Sequence, residues 1–183
     1  MGVDPKELSE LVRSAMNEKC VYHSTTSDSF FESVKESKEK FNVVFVDGLH
    51  EYSQAYRDIV NALGHLAPNG FIVVHDCNPT SEIVGLPPEE YNLLSKSEKK
   101  GNYAWTGDVW KAITLLRSQH TDLNIFTLDC DWGCGVISRG RPKSMLDFSQ
   151  AQVEDLTYTD FDKNKKKYLN LKPEEFFFDF LSQ

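Results

Sequence analysis

Two stretches of the chain are apolar almost without a break, and the other elements arrange themselves around them. Phe41–Asp47 ("FNVVFVD") and Phe71–Asp76 ("FIVVHD") are rich in β-branched residues, and each ends on an acid. Runs of this length without polar alternation predict strands covered on both faces. Between them, from Tyr52 on, Ala55, Tyr56, Ile59, Val60 and Leu63 recur at helical spacing, and "APNG" (Ala67–Gly70) predicts a turn. Strand, helix and strand of these lengths form a βαβ unit. Its two strands are parallel neighbours, so Asp47 and Asp76 should emerge at one carboxyl edge. In open α/β sheets that edge is where ligands bind.

The alternation continues on both sides. "DPKELSELVRSAM" predicts a helix with Asp4 as N-cap, Pro5 at its first position and a stripe of Leu8, Leu11, Val12 and Ala15. Cys20–Thr25 reads as a strand, and "SDSFFESVKESKEK" from Ser27 as a short acid-capped helix. Beyond Asp76 the texture changes. Residues 79–107 carry prolines and glycines, then lysines, then Tyr103 and Trp105, which are candidates to close over a substrate. A connection of that length predicts a lid-like insertion. Asp108–Gln119 predicts an amphipathic helix capped by Thr106 or Asp108. "LNIFTLD" and "GCGVISR" predict an antiparallel hairpin turning at Asp131–Trp132. The tail predicts a last helix from Pro173, whose Phe176, Phe177, Phe178, Phe180 and Leu181 need an apolar surface to dock on. The expected organisation is one domain over 1–183: an α/β core to 140, the insertion at 79–107, and a helical tail over 141–183.

Composition narrows the functional classes. The chain has 183 residues, 40% of them hydrophobic, and a net charge of −8. An acidic chain lacks the clustered basic face that phosphate neutralisation needs, so no nucleic-acid partner is expected. The basic run "DKNKKKY" (Asp162–Tyr168) reads as a solvated helix face. No stretch is apolar for long enough to span a bilayer, and the first residues lack a signal-peptide pattern, so no membrane partner and a cytoplasmic location are expected. Cys20, Cys77, Cys130 and Cys134 are irregularly spaced and read as reduced thiols. Cys130 and Cys134 with His120 lack a fourth zinc ligand.

The block from Phe41 to Pro79, followed by "WTGDVWKAI" and "DWGCGVI", resembles the class I S-adenosylmethionine-dependent methyltransferases. The branch it resembles ends its fourth strand in Asp-Gly-x-His-x-Tyr, and the similarity runs from Gly2 to about Ile137. The resemblance implies a Rossmann-like α/β fold with strand order three, two, one, four, five, seven, six. In it the seventh strand is antiparallel and forms a C-terminal hairpin with the sixth. "GVDP" resembles the end of the second strand, where Asp4 would hold the ribose hydroxyls of the cofactor. Ser27 and Asp28 resemble the turn that contacts adenine, although Ser-x-x-Asp also begins ordinary helices. The first strand, glycine-rich loop and first helix precede the point where this chain starts, so the sheet is expected to be N-terminally truncated. "TLDCDWGCGVI" imitates such a loop, but it leads into a strand rather than a helix.

In metal-dependent members, carboxylates after strands four and five hold a magnesium ion that clamps the acceptor hydroxyl. The resemblance assigns Asp47 and Asp76 as ligands, with Asn78 as the third, one residue further on than usual because Cys77 intervenes. Asp47 also lines the cofactor edge. His50, three residues after Asp47, takes the place of a catalytic base beside it, and imidazole suits proton transfer near neutral pH. An equally simple reading makes His50 a helix-start residue bonded to a carboxylate. His75 reads as a packed histidine, and His23 and His65 carry no signal.

Three readings stay open. The first is a methyltransferase for a small-molecule hydroxyl or amine. The second is a catalytically incomplete binding or assembly module. The third is a metal-dependent enzyme of other chemistry. With strand one absent, the apolar strand at Phe41 becomes an exposed edge, which folded proteins rarely leave bare. A homodimer or intertwined assembly is therefore expected.

Overall fold

A computed structural model describes residues 1–101 and 104–182, so Tyr103 lies outside the described residues. The chain divides into two compact units, Met1–Glu39 and Lys40–Gln183.

In the first unit β1 (Gly2–Asp4) and β2 (Tyr22–Ser24) pair in parallel, with Asp4 opposite Ser24. Helix α1 (Glu10–Ala15) lies between them in sequence, and α2 (Ser27–Val34) follows. The first helix starts later than its pattern predicts. Asp4 is held in β1, and its Oδ1 accepts the amide of Lys6 at 2.7 Å rather than capping a helix. Ser9 is the N-cap, its hydroxyl accepting from Val12 N. A residue before proline is pushed towards extended backbone, and strand pairing uses that bias. Thr26 caps α2, so Ser27 and Asp28 are its first two residues.

The second unit runs β3 (Phe41–Val46), α3 (Tyr52–Gly64), β4 (Leu66–Val74), α4 (Pro88–Leu93), α5 (Trp110–Gln119), β5 (Leu123–Leu128) and β6 (Cys134–Arg139). Helices α6 (Gln150–Glu154) and α7 (Tyr158–Tyr168), strand β7 (Leu171–Lys172) and α8 (Phe176–Leu181) complete it. Its strands form one sheet in the order β3-β4-β6-β5-β7, in which β6 alone runs against the others. This mixed α/β architecture with a mostly parallel sheet is consistent with the Rossmann-like expectation.

The sheet separates two apolar layers. Ile72, Ile137 and Ile125 sit opposite one another across β4, β6 and β5, buried with Ile59 and Ala62 of α3 and Ile113 and Leu116 of α5. On the other face Phe126, Leu128 and Val136 form a cluster against which Phe71, Phe176, Phe177 and Phe180 pack. Phe176 and Phe180 meet Phe126 edge-on at 5.0 and 5.1 Å, the geometry aromatic quadrupoles favour. The aromatic tail thus has its docking surface. Phe178, on the outer side of α8, is exposed.

Three local expectations are corrected. Ala67–Gly70 is not a free turn, because β4 already begins at Leu66, which pairs with Phe41 before pairing resumes at Phe71 with Val43. The extra residues bulge, and Gly70 lies where a Cβ would come within 2.8 and 2.9 Å of the carbonyls of Asn42 and Phe41. Helix α5 has Val109 as N-cap and no side-chain cap. Thr106 Oγ1 donates to Val84 O, and Asp108 caps a different helix. Strand β7 is too short to leave a periodic signal, yet it extends the sheet beside β5.

Candidate functional site

Strands β3 and β4 finish level, Val46 opposite Val74, and His75 N continues the ladder to Val46 O at 3.0 Å. Asp47 and Asp76 therefore leave the sheet side by side. Asp76 adopts φ 62°, a left-handed turn that aspartate tolerates better than most residues. The chain beyond it is held by the β5–β6 turn, where Cys77 N and Asn78 N donate to the carbonyls of Gly133 and Trp132. Asp131, Trp132 and Gly133 of that turn all have positive φ. A Cβ on Gly133 would fall 2.6 Å from the backbone nitrogen of Asn78.

Four side chains meet at this edge. His50 Nε2 lies 3.0 Å from Asp76 Oδ2 and 3.6 Å from Asp47 Oδ1. His75 Nδ1 lies 3.3 Å from the same oxygen of each acid, buried but aligned for a hydrogen bond with neither. The outer nitrogen of His75, Nε2, faces Asp131 Oδ2 at 3.3 Å. Ligand atoms of Asp47, His50 and Asp76 all lie within 4.8 Å of one another. Asp47 and His50 border a cavity of about 10 Å³, walled also by Val74, His75 and Val109. That space suits one water-sized guest. The two carboxylates and the imidazole together fit a divalent cation.

A second segment fixes His50 from behind. Its Nδ1 bonds the Trp105 carbonyl at 2.7 Å, and the two rings lie 5.3 Å apart. Trp105 is itself anchored, with Nε1 donating to Leu86 O and its ring stacked on Tyr91. Gly107, at φ 62°, presses on the His50 backbone so closely that a Cβ would fall 1.8 Å from the carbonyl oxygen. Next in the chain, Asp108 Oδ1 accepts the amide of Tyr52 at 2.7 Å, capping α3. "WTGD" is thus the clamp that holds the Gly-Leu-His loop.

The electrostatics follow from burial and crowding. Burial raises the Asp76 carboxyl above its ordinary value and Asp47 adds to this, while His50 and His75 pull it down. Burial alone would lower His75, but Asp76, Asp47 and Asp131 outweigh it and raise it. Asp108 is raised by burial, against the opposing pull of the Tyr52 amide.

Of the residues the sequence assigned to the site, the structure brings together Asp47, His50 and Asp76. The Nδ2 of Asn78 donates to Asp129 Oδ1 at 3.0 Å, and its Oδ1 is buried with no hydrogen-bond partner among the described residues. In the first unit the parallel pairing of β1 and β2 sets Asp4 and Ser24 at one edge, and Ser27 and Asp28 follow at the start of α2. The sequence reading gave His75, Asp131 and Gly107 no role at the site. His75 had a signal in standing beside Asp76, and Gly107 had one as a glycine between a tryptophan and a helix start. Asp131 had none beyond its place in a turn. All four cysteines are free. Among the described residues no helix is long and apolar enough to cross a membrane.

The model of a family described as a methyltransferase domain matches residues 2–77, under half of the chain. The matched segment takes in β1 through β4 and with them Asp4, Ser27, Asp28, Asp47, His50 and Asp76, but stops short of Asn78. No curated protein matches the chain. Over residues 2–77 the chain is similar to a class I methyltransferase domain, and that similarity supports a methyl-transferring function.

Proposed function

We propose that this chain is an S-adenosylmethionine-dependent methyltransferase for a small-molecule hydroxyl or amine, with a divalent ion at its acceptor edge. The observation that carries the reading is the convergence of Asp47 and Asp76 from adjacent parallel strands, with His50, so that their ligand atoms lie within 4.8 Å of one another inside the segment similar to methyltransferase domains. S-adenosylmethionine, when bound, supplies a methyl group activated by its sulfonium. Asp4, Ser27 and Asp28 are the residues proposed to hold its ribose and adenine. Asp47 and Asp76 would hold the ion, whose charge favours the deprotonated acceptor oxygen. The remaining contribution is alignment of acceptor and methyl group, which can supply much of the rate enhancement.

The test is calorimetric titration of the folded chain with S-adenosylmethionine, with and without divalent ions, followed by transfer of labelled methyl to a panel of phenols, alcohols and amines. Micromolar cofactor binding is expected, with transfer that Asp47→Asn and Asp76→Asn abolish. A folded chain that binds no cofactor under either condition would refute the proposal.

A further inference from the structure

We infer that His50 is the third metal ligand rather than the catalytic base, and that the site takes a borderline transition ion such as Mn2+ or Co2+ in preference to Mg2+. The inference rests on the proposal that a divalent ion binds between Asp47 and Asp76.

The argument begins at the far side of the ring. A carbonyl can only accept, so the 2.7 Å contact between Nδ1 and Trp105 O places the hydrogen on Nδ1. Nε2 is the nitrogen that faces the site, at 3.0 and 3.6 Å from the two carboxylates, a separation that a proton on Nε2 or a cation between the three atoms makes favourable. A base must aim its free nitrogen at the acceptor, whereas this one is aimed between the two acids. Metal-bound histidines characteristically donate their other ring N–H to a backbone carbonyl or carboxylate, which fixes tautomer and orientation. Trp105 supplies that contact. Its carbonyl is held in turn by the ring's bond to Leu86 and by the close seat of Gly107 on His50.

Spacing agrees. With metal–ligand bonds of about 2.1 Å, neighbouring donors in an octahedral shell stand roughly 3.0 Å apart. His50 Nε2 and Asp76 Oδ2 are already at that separation, and Asp47 Oδ1 is slightly wider. One imidazole and two carboxylates on a single side of an ion leave the opposite side open to water or acceptor. Magnesium prefers a shell of oxygens alone, while imidazole suits the later divalent ions. His75 competes for the same place, since its Nδ1 is 3.3 Å from both acids. Its other nitrogen faces Asp131, an outer contact of the same kind, so His75 is the alternative ligand that the experiment separates from His50.

The deciding experiment is pulsed electron paramagnetic resonance of the purified chain with Mn2+, without S-adenosylmethionine, alongside calorimetry with Mn2+ and Mg2+. Modulation from a directly bound nitrogen is expected, with Mn2+ held at least about tenfold more tightly than Mg2+. His50→Gln should erase the modulation and weaken Mn2+ at least about tenfold, while His75→Gln keeps the modulation. The wild-type spectrum needs no variant to fold. Mn2+ bound without nitrogen modulation, yet lost in Asp47→Asn, would overturn the role of His50 and leave the metal reading standing. Modulation erased only by His75→Gln would overturn it as well. No divalent binding at all would sink both the inference and the metal reading, and cofactor titration would then test the methyltransferase reading on its own.

Discussion

Replacing Gly107 by alanine tests whether "WTGD" clamps the His50 loop. Gly107 has φ 62°, where an L-residue costs about 1–2 kcal/mol. The added Cβ would also fall 1.8 Å from the His50 carbonyl oxygen, 2.7 Å from its carbon and 2.9 Å from its Cβ. Two of those three atoms are backbone, so no rotamer change relieves the overlap, and one segment must retreat. Forced repacking of that kind costs about 1–3 kcal/mol. The sum is about 2–5 kcal/mol, or a fall in Tm of roughly 4–20 °C for a chain of this size. Gly101 is the control. It too has positive φ, 90°, but among the described residues nothing lies within 4 Å of its missing Cβ, so Gly101→Ala is expected to bear the backbone cost alone. Thermal melts followed by circular dichroism compare the two, and amide shifts of Tyr52 report whether the loop has moved. If Gly107→Ala melts with Gly101→Ala and leaves the Tyr52 amide in place, the clamp does not exist.

Arg117 is nearly fully buried with no acidic partner among the described residues, and burial lowers its pKa to about 10. It donates to the carbonyls of Lys167 and Tyr168 at the end of α7 and to Ser144 Oγ. Arg117→Ala should cost about 3 kcal/mol or more, read as a lower denaturant midpoint with an unchanged slope. For His75 the folded pKa is raised above its ordinary 6.5, so its stabilisation is fully present below that pH and is lost as pH rises through the raised value. Melts in chelator should show stability declining upward from about pH 6.5. His75→Gln should flatten that decline, and an unchanged profile would remove His75 as its source. Strand β3 ends the sheet, with Val43 and Phe45 more than half exposed on one face. We expect self-association there, with light scattering giving twice the 20.9 kDa chain mass. Val43→Lys with Phe45→Lys should restore the monomer, and a wild-type monomer at high concentration would refute the expectation.

What the sequence made legible, and what it hid, divides along a physical line. Apolar runs and helical stripes act over a few residues, so β3, α3, β4 and the β5–β6 hairpin could be read from the chain, and with them the joint arrival of Asp47 and Asp76. The contacts that assign roles act between distant segments. Asp108 looked like the cap of the helix it precedes, but its carboxylate caps α3 at Tyr52, 56 residues earlier. Asn78 looked like a ligand from its place after Asp76, but the β5–β6 turn draws its amide to Asp129. His75 looked like packing, yet it touches three carboxylates, one of them delivered by that turn. His50 is the sharpest case. Its residue type and its distance from Asp47 are consistent with base or ligand alike, and the atom that sets which ring nitrogen faces the acids is the carbonyl oxygen of Trp105, which every residue possesses. A backbone acceptor leaves no mark in sequence. What does leave a mark is the geometry required to bring it there, namely a glycine able to sit against the His50 carbonyl and an acid able to cap the next helix. Gly107 and Asp108 are therefore the legible trace of how His50 is oriented, and the direction of its ring is encoded in residues outside the Asp47–Asp76 pair.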